Sequence, residues 1–361
     1  MEEKGKKGRI DYKLLLIVVL LVVIGLVILY STSAYNGQVK FHDSFYYLKK
    51  QAFATVLGIV LMLFVAGMDY HIWQRLAVFG YLAAVALSVA VMLFGREING
   101  SKRWLALGPF SFQPSEFAKV ALILFLADLV TKNVKTIGKM WTLCRIMFWI
   151  LPIVGLVGAS NLSTAIIILG IGVILIFVAS PKYAQFAMMG IAGACFMGIF
   201  LALESYRLER LAIWRNPEKY EKGYQTLQGL YAIGSGGVFG VGIGNSVQKL
   251  GFVPEAQNDM IFSIICEELG LAGAGIIVFL FLLLIWRFFL IASGSRDLFG
   301  ALIATGAMAH MMIQVILNIA VVTNTIPNTG ITLPFISYGG TSVMFLLIEM
   351  GLVLSVSQVV D

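Results

Sequence analysis

Charge is scarce in this chain. Its 361 residues carry 26 Lys and Arg against 19 Asp and Glu, 12% in all, roughly half the ~25% of an ordinary soluble domain. Cysteine and histidine are scarcer, at three each. Cys144, Cys195 and Cys266 lie far apart, in or beside apolar runs and without a Cys-x-x-Cys. That excludes a disulfide framework and a cysteine-built zinc site. No low-complexity tract appears, and no period of about 20–50 residues repeats, which excludes a solenoid. The first apolar run is too long for a cleavable signal peptide and lacks a small-residue cleavage site. Hydrophobicity is what the chain has instead: 59% of residues, with mean hydropathy +0.91. Together these exclude a soluble enzyme, a disordered chain and a nucleic-acid binder. The net charge of +7 is what a membrane protein with basic cytoplasmic loops carries.

A membrane-spanning helix needs about 20 apolar residues. That ruler predicts ten spans, near 13–31, 53–68, 76–95, 115–131, 143–159, 162–180, 184–203, 265–291, 298–323 and 340–357. The expected fold is therefore an all-α polytopic membrane protein, one domain over residues 1–361, with one large extracytoplasmic loop at 204–264. Lys and Arg set the orientation. Thirteen fall on one side, in the N-terminal tail, the connection after the fourth span, and at Arg75, Lys182, Arg287 and Arg296; six fall in short loops of the other. The richer side is expected to be cytoplasmic, and an even span count puts both termini there. The 204–264 loop carries six more, from Arg207 to Lys249, so the margin rests on the short loops.

Four clusters could carry chemistry. Before the fourth span, Arg103 and the run Gly108–Lys119 contain Gln113, Glu116 and Lys119. Glu116 and Lys119 are three apart, on one helix face, either as a structural ion pair or, with Arg103, as a cationic seat for an anionic headgroup. The outer loop holds Arg207, Arg210, Gln248 and Lys249 among dense glycines at 234–244. These glycines can bring backbone amides close to a ligand, or simply make turns. The third cluster is Pro254-Glu255 with Asp259, then Glu267-Glu268, placing carboxylates near the outer surface; a solvated loop end is the plain alternative. The fourth, 324–342, is apolar yet broken by two prolines and by glycines, so it must line protein or water rather than lipid. Within the membrane, His310, Gln314 and Asn318 form a polar stripe, and Glu349 sits in mid-span. Interhelical hydrogen bonding is the preferred reading over a proton path.

These motifs resemble the SEDS family (shape, elongation, division, sporulation). The carriers are Gly-Pro-Phe-Ser-Phe-Gln-Pro-Ser-Glu-Phe-Ala-Lys at 108–119, Ala-Ile-Gly-Ser-Gly-Gly at 232–237, Pro254-Glu255 with Asp259, and Leu-Pro-Phe-Ile-Ser-Tyr-Gly-Gly at 333–340. The stretch at 240–249 looks nearer the FtsW and SpoVE branch than the RodA branch. The resemblance implies a peptidoglycan glycosyltransferase in the bacterial cytoplasmic membrane. Its substrate would be lipid II and the growing glycan strand, and its partner a class B penicillin-binding protein. It maps the family's important acid onto Asp259, and the charged pair with its arginine onto Glu116, Lys119 and Arg103. An α-linked pyrophosphate donor giving a β product requires inversion, hence one carboxylate base. The leaving pyrophosphate needs its charge neutralised by Arg and Lys or by a divalent cation, Mg or Mn. Where the family has Pro-Asp-Leu, this chain has Ser160-Asn161-Leu162, so Asn161 is read as a supporting residue. A lipid II flippase and a non-catalytic scaffold for a division transpeptidase are the competing functions.

Overall fold

The computed structural model describes residues 10–98, 101–107, 110–187, 190 and 212–360. In chain order its elements are α1 (Tyr12–Phe41), α2 (Tyr46–Gly67), α3 (His71–Phe94), strands β1 (Arg96–Ile98), β2 (Ser101–Leu107) and β3 (Phe110–Phe112), α4 (Pro114–Asn133), α5 (Met140–Ser160) and α6 (Leu162–Ala179). After two single 3-10 turns come α7 (Tyr224–Gly236), α8 (Ile261–Gly294), α9 (Leu298–Val322) and α10 (Gly340–Ser357). Eight of the described helices, α1–α3, α5, α6 and α8–α10, are long and apolar enough to cross a membrane. The span expected at 184–203 lies almost wholly outside the described residues.

The expected fourth span is α4, whose Glu116, Lys119, Asp128 and Lys132 make it poor in the usual hydropathy sense. It is nonetheless the most enclosed helix, touching α3, α5, α6, α9 and α10. Protein rather than lipid surrounds it, so charge is tolerated where each group finds a partner. Asp128 is buried against Gln74, 3.0 Å away, and Lys132, 2.7 Å away. Outward-facing apolar side chains such as Phe64, Phe79, Ile276 and Phe279 form the belt that lipid would cover. The chain ends meet at one face of the bundle: the Asp11 amide donates to Ser357 Oγ (3.2 Å), and Arg287 pairs with Asp11. Both ends on one face is what an even number of crossings requires.

Three local features depart from plain helices. The connection between α3 and α4 is a small antiparallel sheet, β1-β2-β3, with Leu105 opposite Phe112 and Leu107 opposite Phe110. The two three-residue strands, β1 and β3, carry too little alternation to be seen in sequence. Secondly, α8 breaks at Gly270 (φ 67°, ψ −170°). The carbonyls freed there, of Glu267 and Glu268, accept from Val241 and Gly242 amides at 3.0 and 2.9 Å. Leu271 and Ala272 amides donate back to Gly237 and Val238 carbonyls, both at 3.0 Å. A Cβ on Gly270 would stand 2.4 Å from the Gly240 nitrogen, and one on Gly240 would stand 2.2 Å from the Glu268 oxygen. The loop glycines thus allow two backbones to touch across a helix break, rather than forming a ligand cradle or a loose turn. Thirdly, 323–339 is irregular but tied to protein at several points: Gln51 Nε2 donates to the Ser337 carbonyl (3.3 Å) and the Tyr338 amide to the Gln257 carbonyl (2.9 Å). This is the protein-lined segment expected of its sequence.

Candidate active site

Asp259 stands one residue before Met260, the N-cap of α8, and is 9% exposed. Its carboxylate Oδ1 accepts a long 3.4 Å hydrogen bond from Gln225 Nε2, and the backbone amides of Asp259 and Met260 also face it. Burial raises its pKa to about 6, with Glu255 adding like-charge repulsion. Gln225 is the brace: Nε2 also donates to the Pro254 carbonyl (3.2 Å) and Oε1 accepts from Asn328 Nδ2 (3.3 Å). It ties α7, the turn before α8 and the irregular segment around one carboxylate. Glu255 adopts a left-handed backbone (φ 52°) and accepts from Asn258 at 2.5 Å. It shapes the turn beside Asp259.

The polar stripe of α9 joins the backbone of Asp259 to the pair on α4. Asn318 Nδ2 donates to the Asp259 carbonyl (2.9 Å) and the Ile331 carbonyl (2.7 Å). One turn below, Gln314 Nε2 donates to the Thr332 carbonyl (3.0 Å), and its Oε1 accepts from Lys119 Nζ (3.2 Å). Lys119 pairs with Glu116 at 3.0 Å, both buried. The Ser342 hydroxyl faces the Glu116 carboxylate, yet Oε2 lacks a closed hydrogen bond among the described residues. The stripe is therefore an interhelical hydrogen-bonded column. Asn318 and Gln314 stand four residues apart, a rise of about 6 Å, so the Asp259 and Lys119 regions are neighbours.

The other expected site residues go elsewhere. Lys249 is buried with its ammonium on Glu268 Oε1 (2.6 Å) and Ser31 Oγ (3.0 Å). The sequence reading of a solvated acidic end is overturned for Glu267 and Glu268, which are 3% and 1% exposed. Glu267 accepts from the Ser246 hydroxyl and the Val247 amide. The half-buried Gln248 leaves Oε1 without a partner among the described residues. Arg103, on β2, donates from Nε to the Ser160 carbonyl (3.0 Å). It lines, with Ser115 and Asn161, a cleft of about 10 Å³, room for one water. Asn161 caps α6, its Oδ1 accepting from the Thr164 amide at 3.2 Å. Gln113, before α4, donates to Ser115 Oγ (3.2 Å). Arg207 and Arg210 lie outside the described residues. Among the described residues no three His, Cys, Asp or Glu side chains converge as a metal cage. Sequence reasoning missed Gln225 and Asn328; neutral amides in a loop give no signal until the fold brings them to a carboxylate.

Fold and site together define a polytopic membrane protein with a buried carboxylate at one end of its bundle, backed by an internal lysine. The chain belongs to the FtsW/RodA/SpoVE family: the family model described as "Cell cycle protein" matches residues 12–361. It is 40% identical over 366 residues to stage V sporulation protein E of Bacillus subtilis, covering 98% of each chain. It is 35% identical over 353 residues to a probable peptidoglycan glycosyltransferase FtsW of Trichlorobacter lovleyi, covering 96% of this chain and 93% of that one. Among solved structures, it superposes with TM-score 0.83 and 29% identity on a chain from work on a peptidoglycan synthase complex coordinating polymerisation and crosslinking, covering 96% of this chain and 97% of that one. The rod shape determining protein RodA of Thermus thermophilus matches with TM-score 0.72 and 28% identity, covering 96% of each.

Proposed function

We infer that this chain is a peptidoglycan glycosyltransferase that polymerises lipid II on the outer face of the bacterial cytoplasmic membrane. The observation that carries the mechanism is Asp259: a buried carboxylate poised with a pKa of about 6, at the end of a column that leads to Lys119. The acceptor sugar hydroxyl gives its proton to Asp259 as its oxygen bonds to the donor's anomeric carbon. The bond from that carbon to undecaprenyl pyrophosphate breaks, and the configuration inverts. A base titrating near 6 is ionised at neutral pH yet retains proton affinity. Lys119, its charge balanced by Glu116, offers N–H donors to the pyrophosphate, and Arg103 on β2 supplies the positive charge. The cleft beside Arg103 must widen to admit it. No three His, Cys, Asp or Glu side chains converge among the described residues, but Mg or Mn at a pyrophosphate needs only one or two carboxylates beside the substrate's own oxygens, so a divalent cation would share this task with Arg103 and Lys119.

A class B penicillin-binding protein is the proposed partner, supported by the likeness to a chain from a synthase complex. The test is glycan formation from purified lipid II by wild type and Asp259→Asn at matched levels. Polymer from wild type only supports the polymerase. No polymer from either, with lipid II crossing vesicles, would favour a flippase; partner binding with neither activity would favour a scaffold.

A further inference from the structure

Two residues of the α9 column are left without a task by that mechanism: His310 and Glu349. Both are 1% exposed. His310 Nδ1 is 2.8 Å from Glu349 Oε2, and His310 Nε2 is 2.8 Å from Gln314 Oε1. Glu349 Oε1 has no hydrogen-bond partner among the described residues.

The hydrogen-bond chemistry fixes where the protons are. The Thr332 carbonyl can only accept, so Gln314 presents its NH2 to it. The Lys119 ammonium can only donate, so Gln314 presents Oε1 to that. The amide is thereby pinned, and Oε1 is left facing His310 Nε2. That nitrogen must carry a proton, since two acceptors 2.8 Å apart would repel. His310 Nδ1 and Glu349 then share one further proton. The pair is either imidazole with carboxylic acid or imidazolium with carboxylate, and is neutral in both forms. Lys119 and Glu116 are the other charged groups of the column, and they balance each other. A column of six ionisable or amide side chains thus carries no net charge through the bundle interior, as its burial demands.

We propose that His310 and Glu349 are positioning residues of the glycosyl-transfer site: by fixing the Nε2-protonated state of His310 they hold Gln314, and through it Lys119 and the Thr332 backbone. This rests on the polymerase reading. A pyrophosphate seat needs its ammonium held in one place, because a long lysine side chain otherwise samples many rotamers. Gln314 links that ammonium to the 331–332 backbone, which Asn318 joins to Asp259. Loosening His310 therefore disturbs the leaving-group end first, since Gln314 touches Lys119 directly and reaches Asp259 only through the 331–332 backbone.

The variants are Glu349→Gln, Glu349→Leu, His310→Leu and the double His310→Leu/Glu349→Leu. An amide at 349 can donate to Nδ1 and keep the Nε2–H tautomer; leucine cannot. Glu349→Leu and His310→Leu should lower lipid II polymerisation on the order of tenfold, as sub-ångström misplacement does. The fall should be mainly in KM for lipid II, and Glu349→Gln should stand several-fold above Glu349→Leu. The double variant should regain thermal stability relative to His310→Leu, which strands a buried carboxyl, but not regain activity. A merely structural pair would give activity that follows stability, with the double variant recovering both, and that result would overturn the proposal. So would equal activity of Glu349→Gln and Glu349→Leu. A second readout needs no turnover: the 15N spectrum of His310-labelled protein should show a protonated Nε2 in wild type and in Glu349→Gln. An unprotonated Nε2 in wild type would refute the assignment. If wild type makes no glycan while this spectrum is as expected, the polymerase reading fails and the proton assignment stands.

Discussion

Two acidic sites flank the start of α8, nine residues apart at most, and their surroundings are opposite. Glu267 and Glu268 are saturated. Between them they accept from two hydroxyls, a buried ammonium and a backbone amide, all within about 3 Å. Asp259 is buried too, though more exposed at 9%, and receives one long side-chain bond and the amides of its own turn. In the first cluster every carboxylate oxygen has a donor, and the bonds fasten the glycine-rich loop and α1 to a broken helix. The unsaturated one keeps proton affinity in reserve. Residue type and burial do not separate the two; the number and quality of donors do.

The sharpest way to break this contrast is Asp259→Asn. Turnover should fall by about 10²–10⁴, the worth of a positioned base, measured as glycan made from purified lipid II. Stability should move the other way. The folded pKa of about 6 lies above the ordinary 3.8, so protonation favours the fold. That stabilisation is complete below about 3.8 and is lost as pH rises through 6. At neutral pH the ionised carboxylate costs roughly 1–3 kcal/mol, which the amide removes. A less stable Asn variant would mean that Asp259 is a structural anchor like its neighbours.

Lys249→Met probes the other side. It strands Glu268 in the interior, and breaking a buried pair in this way costs about 3–5 kcal/mol. The double variant Lys249→Met/Glu268→Met should recover most of that loss, and detergent-solubilised thermal unfolding reads both. If Lys249→Met is fully stable but inactive, Lys249 belongs to substrate after all.

A smaller effect sharpens the comparison without mutation. If Asp259 is the base, polymerisation should fall tenfold per pH unit below about 6. The lower limb should be absent from the residual activity of Asp259→Asn. A limb that persists there would belong to another group.

Periodicity and length made most of this fold legible. Nine of the ten expected spans correspond to described helices, and even charged α4 was found because its apolar run survives four charges. The broken segment at 324–342 was legible too, since an apolar stretch with two prolines has few places to go. Where sequence failed, the cause was tertiary. Nothing local says that Lys249 turns inward to Glu268, or that Gly240 meets Gly270 across thirty residues. The site was half legible: Asp259, Glu116 and Lys119 came through motif resemblance, whereas Gln225 acquires meaning only from three contacts to two separate segments.

The smallest expected effect concerns Asn161, where the family pattern has a carboxylate. Its Oδ1 caps α6 through the Thr164 amide, and Asn and Asp are nearly equal in that role. Asn161→Asp should therefore keep the cap. A negative charge at a helix N-terminus adds about 0.3–1 kcal/mol, and Arg103 lines the same cleft. Stability should hold or rise slightly, and polymerisation should stay near wild type. Asn161→Ala loses the cap and should cost about 0.5–2 kcal/mol, with activity falling only as far as the fold loosens. Differential scanning of the three proteins, alongside glycan yield, separates the possibilities. If Asp raises turnover well beyond its effect on stability, position 161 takes part in the reaction. The contrast drawn from Asp259 would then extend to a second carboxylate that this chain has given up.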